Sequence, residues 1–214
     1  MHLLVPVMGK TLLTRLSGAP RKARRALSFC GLSLAALVAS ACGDSNLLSP
    51  ASVENTIRTY SVYALGSSSG LLPAAYSYVT ESVERPQVLS NGAVNFDMAF
   101  DLTSDGKVAM IPVRVIVPAP PLGASSVSVQ RSETPFASLT RAPDKGYAAD
   151  TTIVVGVGET ILLQLHGSGC VYGDPYYAKV RVDSIIAAEG RMVVRSLVNR
   201  NCGYRSLAEG VPES

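Results

Sequence analysis

The chain has 214 residues, of which 47% are hydrophobic, and its 19 basic and 16 acidic residues give a formal net charge of +3. Residues 1–41 contain six of the basic residues and no acidic one, so residues 42–214 carry 13 basic and 16 acidic residues. The main part of the chain is therefore slightly acidic. That balance excludes the strongly basic class of nucleic-acid-binding domains, and we expect no nucleic acid as a partner.

An apolar segment near the start of the chain is the most informative local pattern. Residues 21–42 begin with a basic cluster, continue through an uncharged run from Ser28 to Ala41, and end in Ala-Ser-Ala-Cys. As a helix the run would be about 21 Å long, shorter than the roughly 30 Å of a bilayer hydrocarbon core. This length favours a removable export signal over a permanent membrane span.

The same pattern resembles the export signal of bacterial lipoproteins, which is cut off before a cysteine that receives lipid. The resemblance implies lipidation of Cys42, a membrane partner through that lipid, and a location in the bacterial cell envelope. Gly43 follows the cysteine where an aspartate would alter sorting, which implies the outer membrane, facing the periplasm or the surface. An ordinary secretory signal cut near Ala41 and an uncleaved anchor are the alternatives.

The lipoprotein reading also determines how the cysteines are counted. Cys30 would leave with the signal and Cys42 would bear the lipid, so Cys170 and Cys202 remain as a pair. In an exported protein such a pair predicts a disulfide bond. A metal site is the alternative, but two cysteines and one distant histidine do not supply the usual four ligands of zinc. We expect neither a metal nor another cofactor.

Four regions follow from composition: a signal peptide with a helical apolar run (1–41), a polar lipidated tether (42–56), a single β domain (57–205) and a flexible tail (206–214). Short runs rich in β-branched and aromatic residues recur within the β domain and are separated by Gly, Pro, Ser and Asn. The candidate strands are 57–65, 74–80, 86–89, 94–102, 107–117, 126–131, 151–157, 160–166, 176–185 and 191–198. They predict an all-β fold, an antiparallel two-sheet β-sandwich, with a β-barrel as the alternative.

The fourth of these candidate strands alternates most clearly. Phe96, Met98 and Phe100 alternate with polar positions that include Asp97 and Asp101. Because successive side chains of a strand point to opposite faces, the aromatic and methionine side chains should enter the core while both carboxylates face water.

A serine motif and an acidic pair, each combined with one histidine, raise the alternative of an envelope hydrolase. Residues 66–70 read Gly-Ser-Ser-Ser-Gly, which matches the G-x-S-x-G turn with Ser68 as nucleophile. That motif requires a helix after the turn, whereas a strand-like run follows here. His166 is the one histidine after the signal, so a hydrolase would combine it with Ser68 or with an acidic pair. Asp97 and Asp101 would lie about 13 Å apart along a strand, which is too far for paired catalytic carboxylates.

A calcium loop is a further candidate. Asp101, Thr103, Asp105 and Gly106 match the first half of such a loop, but the twelfth position is Pro112 instead of the glutamate that completes it. A β-turn therefore explains these residues better, and no metal is predicted here.

A tyrosine cluster is the strongest candidate for ligand binding. Tyr172, Tyr176 and Tyr177 lie close to Cys170 in the sequence. Rigid tyrosine rings on a loop held by a disulfide are typical of recognition surfaces, so a protein or a glycan is the expected ligand. The sequence thus predicts a non-enzymatic, lipid-anchored envelope protein that acts by binding or as a structural component.

Overall fold

The computed structural model describes residues 50–66, 70–117, 125–167, 170 and 173–213, which belong to one compact unit, residues 46–214. This described part contains eleven strands, one turn of α-helix and one 3₁₀ turn. The elements are β1 (Ile57–Tyr63), β2 (Ala75–Ser77), β3 (Ser82–Glu84), β4 (Met98–Leu102), β5 (Val108–Pro112), α1 (Val113–Ile116), β6 (Ser126–Ser132), β7 (Ala148–Ala149), β8 (Ile153–Val155), β9 (Thr160–His166), β10 (Tyr176–Ile186), the 3₁₀ turn (Ala187–Glu189) and β11 (Arg191–Asn199). No helix among these residues is both long and apolar enough to cross a membrane.

The strands form two antiparallel sheets. The first has six strands in the order β1-β11-β10-β9-β6-β7, and the second has five in the order β3-β2-β4-β5-β8. Neither sheet closes on itself, so the predicted all-β sandwich is confirmed and the barrel alternative is wrong.

In two hairpins the strands are connected by a tight turn that has a glycine at positive φ. Gly190, at φ 60°, follows the 3₁₀ turn between β10 and β11, and Gly106, at φ 75°, lies between β4 and β5. Glycine enters this left-handed region without steric cost. In the β4–β5 turn the Thr103 hydroxyl donates to the Lys107 carbonyl and accepts from the Lys107 N–H, both at 3.0 Å. The residues that resembled a calcium loop are therefore a hairpin turn.

The core lies between the two sheets and is built from the inward-facing positions of both. Its largest fully buried members are Tyr76, Tyr78, Met98, Phe100, Met110, Ile161, Leu163 and Met192. Their alternation with outward-facing residues follows the two-residue period of a strand.

Strand β4 departs from its predicted pattern at one end. Met98 and Phe100 are fully buried between the sheets as predicted, but Phe96 packs in a separate cluster with Ala99 on the outer face of the second sheet. Asp97 is only 5% exposed, so the prediction that it faces water is wrong. The regular strand begins only at Met98, after bends in the chain, and side chains cover its outer face at this point. The alternation of residues along the sequence therefore does not distinguish buried from solvent-exposed positions here.

A loop covers part of the outer face of the first sheet. Phe136 and Leu139 from this loop pack on Leu162, Tyr177, Leu197 and Leu207. Lys179 of β10 lies beneath them, and its Nζ donates to the carbonyl oxygens of Phe136 and Leu139, both at 2.9 Å. The ammonium also sits 4.6 Å from the centroid of the Phe136 ring. This buried lysine therefore holds the loop on the sheet.

Buried asparagines join the two ends of the domain. Asn201 Oδ1 accepts the backbone N–H groups of Ser52 and Val53, at 2.9 and 3.0 Å. Asn55 and Gly210 exchange backbone hydrogen bonds of 2.9 and 3.0 Å. We call this set of contacts the terminal clamp.

The terminal clamp corrects two predicted boundaries. Leu207 is fully buried and Gly210 is hydrogen-bonded to Asn55, so the predicted free tail is attached to the domain at these two positions. Asn55, within the predicted tether 42–56, is 1% exposed and belongs to the domain as well. The sequence does not predict this packing, because these short stretches have no strand periodicity. They are attached to the domain by isolated β-bridges and by asparagine side chains, and not by a regular ladder of backbone hydrogen bonds.

The predicted disulfide is confirmed. Cys170 and Cys202 are bonded, and their Cα atoms lie 5.5 Å apart. The bond connects the segment between β9 and β10 to the segment that follows β11, next to Asn201 of the terminal clamp.

Candidate functional site

Three predicted site residues, Cys42, Ser68 and Tyr172, lie outside the described residues. Of the other tyrosines in the predicted binding surface, Tyr176 is half-buried and packs against the core between the sheets. Tyr177 is 6% exposed, its ring lies 6.3 Å from that of Tyr147, and its hydroxyl accepts a hydrogen bond of 3.2 Å from Gln164 Nε2. Tyr177 is therefore a packing residue and not part of an open surface. The reason is its place on β10, a central strand whose two faces are both covered at this point.

The structure separates His166 from Asp101. His166 ends β9 beside Ser126, close to where β10 begins. Asp101 lies towards the other end of the sandwich, where its Oδ1 accepts the Gly66 N–H at 3.1 Å near the β10–β11 turn. The length of β10 places these two ends roughly 30 Å apart. These two residues therefore do not form a catalytic pair.

Asp97 has a structural set of partners. Its Oδ2 accepts hydrogen bonds from the backbone N–H of Tyr78 at 2.7 Å, from the Ser77 hydroxyl at 3.2 Å and from the Val79 N–H at 3.4 Å. The carboxylate thus caps the turn that follows β2. No group of three or more His, Cys, Asp or Glu side chains able to hold a metal occurs within the described ranges.

A buried tyrosine cluster is the most unusual polar feature of the core. The Tyr60 and Tyr76 rings stack with centroids 4.0 Å apart and planes 9° apart, and Tyr78 meets Tyr76 edge-on at 4.9 Å. Ser196 of β11 lies beside them and is 1% exposed. We call these four side chains the hydroxyl cluster. Sequence reasoning missed it, although Tyr60, Tyr76 and Tyr78 occupy alternating positions of two predicted strands.

Burial governs the chemistry of this cluster. The Tyr60 hydroxyl lies close to those of Tyr78 and Ser196, and the Tyr76 hydroxyl lies close to that of Ser196, so these groups interact with one another in the core. Burial raises the pKa of Tyr76 from 10.0 to about 12, and it also raises the pKa of Tyr60 and Tyr78 well above 10.0. All three phenols therefore stay protonated at neutral pH, so they can donate and accept hydrogen bonds but do not act as bases.

An ion pair lies beside the hydroxyl cluster. Arg58 Nε is 2.9 Å from Glu81 Oε2, and the Glu81 side chain is only 7% exposed. Glu81 has φ 54°, in the left-handed region that is costly for a residue with a side chain. The pair links β1 of the first sheet to the β2–β3 turn of the second. No glycine or asparagine marks this turn in the sequence, so it was not predicted.

The described surface includes two open hollows. The hairpin hollow, of about 470 Å³, is lined by Ala64, Gly66, Asp101, Leu102, Ala187, Ala188, Glu189 and Gly190. The terminal groove, of about 500 Å³, is lined by Thr140, Arg141, Ser206, Ala208, Glu209, Val211 and Glu213. The terminal groove adjoins the clamp, whereas the hairpin hollow lies at the other end of β1 and β11.

No protein-family model, curated protein or solved structure matches this chain. Function is therefore inferred from the residues and the geometry described above.

Proposed function

We propose that this protein is an exported bacterial envelope protein, anchored by lipid at Cys42, that acts by binding and not by catalysis. The observation that carries the proposal is the basic, apolar and small-residue sequence that ends at Cys42. The Cys170–Cys202 disulfide supports export, because such bonds persist in oxidising compartments.

The position of the terminal clamp suggests which surface is presented to a ligand. The tether enters the domain at the clamp, and β1 runs from there for about 20 Å before the chain reaches Ala64. The Ala64 N–H donates to the Gly190 carbonyl at the rim of the hairpin hollow. An anchored domain would hold this hollow away from the tether, and alanines and glycines form most of its lining. A protein segment or a glycan is the ligand class that we assign to it.

Two observations argue against the hydrolase alternative. The Asp97 carboxylate accepts hydrogen bonds from the turn after β2, which is a structural use of its oxygens. Asp101 and His166 lie at opposite ends of the sandwich. Binding therefore accounts for the described residues better than hydrolysis does.

The mass of the protein extracted from bacterial membranes tests the anchor. We expect residues 42–214 plus acyl chains, and a Cys42→Ser variant should lack both the acyl mass and the cleavage. A chain that begins at residue 42 with unmodified mass would contradict lipidation, and an uncleaved chain would contradict the signal.

Photocrosslinking in intact cells tests the binding surface. A photoreactive residue at position 188, in the hairpin hollow, should form adducts with a peptide or a glycan, whereas one at position 208, in the terminal groove, should not. Equal labelling at both positions would contradict a dedicated site in the hairpin hollow.

A further inference from the structure

Among the described strands, β1 is the longest that lies at the edge of a sheet. It ends the first sheet and has seven residues, whereas the other edge strands, β7, β3 and β8, have two, three and three. One carbonyl of β8, that of Val154, also accepts a hydrogen bond of 2.7 Å from Arg131 Nη2. Short strands and covering side chains are the usual protection of a sheet edge against pairing with another chain. The length of β1 leaves it without the first of these protections.

Two hydrogen bonds at the end of β1 show which of its backbone groups face outwards. The Ala64 N–H donates to the Gly190 carbonyl, on the side of β11, whereas the Tyr63 N–H donates to the Pro73 carbonyl, on the other side. The backbone groups of an antiparallel strand alternate between its two sides. Because the β1–β11 register has no shift, the odd-numbered residues of β1 direct their N–H and C=O groups away from β11.

Three consecutive odd-numbered residues, Ile57, Thr59 and Ser61, form what we call the free edge. No hydrogen bond joins their backbone groups on this side to any residue that the structure describes. Ile57 is 39% exposed, Thr59 is exposed and Ser61 is half-buried. The next odd-numbered residues on either side, Asn55 and Tyr63, already have backbone partners. The free edge is therefore bounded at both ends.

We propose that the free edge pairs with the free edge of a second copy of this chain, antiparallel and about a two-fold axis at Thr59. In this register Thr59 faces Thr59 of the other copy, and Ile57 of each copy faces Ser61 of the other. Each of the three pairs exchanges two hydrogen bonds, so every outward backbone group of both free edges is satisfied. A shift of two residues in either direction would pair only two of the three residues.

The side chains fit this register as well. Thr59 facing its own copy is a favourable cross-strand pair, and Arg58 faces Tyr60 of the other copy, so no two like charges are directly opposite. Each Arg58 also has Glu81 of its own chain as a partner at 2.9 Å. The two-fold symmetry closes the assembly at two copies. The paired residues are far fewer than the roughly 20–30 on each side of a standard interface, so the association is reversible.

Cysteine crosslinking of the purified full chain tests the contact. The Cα atoms of a hydrogen-bonded antiparallel pair lie about 5.5 Å apart, which suits a disulfide. Thr59→Cys should therefore form a covalent dimer under mild oxidation, above the background of the wild type, which has the same other cysteines. Ser61→Cys is the matched control, because the two Ser61 positions would lie roughly 14 Å apart. It should stay at the wild-type background.

A mixture of two variants tests the register. Ile57→Cys and Ser61→Cys chains, carrying tags of different mass, should form a mixed covalent dimer, whereas neither should crosslink with itself. Association through another part of the chain would not produce this position-specific pattern. A Thr59→Cys product no more abundant than the wild-type background would overturn the proposal, and so would equal crosslinking of Thr59→Cys and Ser61→Cys.

A charge at the centre of the free edge gives an independent readout. Thr59→Lys places two ammonium groups opposite each other and should weaken dimerisation roughly tenfold in sedimentation equilibrium. Thr59→Val keeps the β-branched shape and should stay within about twofold of the wild type. Because Thr59 is exposed, both variants should keep the urea midpoint. Equal dimerisation of Thr59→Lys and wild type would overturn the proposal, as would a monomeric chain whose free edge captures a segment of another protein.

Discussion

Asp97 and Asp101 stand four positions apart in one run of sequence, and their environments differ. Asp97 is almost fully buried and caps the turn after β2, whereas Asp101 is half-buried and accepts the N–H groups of Gly66 and Leu102. Because side chains alternate along a strand, the sequence predicts that both carboxylates lie on the same solvent-exposed face. The difference arises from the bend before Met98 and from the side chains that cover the outer face of the second sheet.

The first prediction concerns these two aspartates. Asp97→Ala should lower the free energy of unfolding by about 2–3 kcal/mol, because the buried Tyr78 N–H would lose its acceptor. Asp101→Asn keeps an oxygen acceptor and should change it by less than about 0.5 kcal/mol. Urea denaturation followed by circular dichroism measures both. A larger loss for Asp101→Asn than for Asp97→Ala would mean that the roles assigned to the two carboxylates are reversed.

The tyrosines show what sequence can and cannot reveal about single residues. Tyr172, Tyr176 and Tyr177 are close in sequence and make up the predicted binding surface, whereas Tyr60 lies on β1 and Tyr76 and Tyr78 lie on β2 and the turn after it. The second group meets only because β1 and β2 lie in facing sheets. That juxtaposition depends on tertiary packing, which no local pattern records.

At the level of elements, the long strands and glycine turns were predictable and the short elements were not. β9, β10 and β11 match their predicted runs within a residue at each end, and Gly106 and Gly190 mark the turns that join hairpins. Strands β3 and β7 have three and two residues and carry no readable period. The run 107–117 was predicted as one strand because it is rich in valine and isoleucine. It instead ends at Pro112 and continues as α1.

The second prediction tests the buried face of β4. Phe100→Ala should lower the free energy of unfolding by about 3–5 kcal/mol, the usual effect of emptying an aromatic site in a packed core. Val115→Ala, at a position that is 41% exposed on α1, should cost less than about 1 kcal/mol. Equilibrium unfolding in urea measures both. A mild effect of Phe100→Ala would show that β4 does not present this residue to the core.

For the whole molecule, the disulfide constrains a long loop. Cys170 and Cys202 are separated by 32 positions, so replacing both with alanine should lower the free energy of unfolding by about 3.5–4 kcal/mol on the chain-entropy model. Denaturation of the oxidised protein, the reduced protein and the double variant measures this. Reduction should match the double variant, and an unchanged midpoint after reduction would contradict the prediction.

Stability should also fall steeply in alkali. Burial raises the pKa of Tyr60, Tyr76, Tyr78 and Tyr147 above 10.0, so these phenols keep their protons in the folded state while they ionise in the unfolded chain. The contribution of these protonated phenols to the free energy of unfolding is complete below pH 10.0. It is lost progressively as the pH rises above 10.0, and for Tyr76 the loss continues to a pH of about 12, its pKa in the folded state. Lys179 acts in the opposite direction, since burial lowers its pKa, but it is a single group.

Urea midpoints measured from neutral to alkaline pH, together with tyrosinate absorbance, check this prediction. The steep loss of stability should coincide with the appearance of tyrosinate in the unfolded chain. A midpoint that stays constant above pH 10.0 would show that these hydroxyls already titrate normally in the folded protein.

The terminal clamp has a consequence for the order of the chain itself. Because Asn55 and Gly210 pair backbone to backbone, a linker of a few residues can join the two ends of the folded domain without disturbing either sheet. If new ends are then opened in the exposed turn before Gly106, we expect a circular permutant that keeps every strand in its original place. Such a permutant would place the strands in the same neighbouring order with the chain ends at the opposite end of the domain.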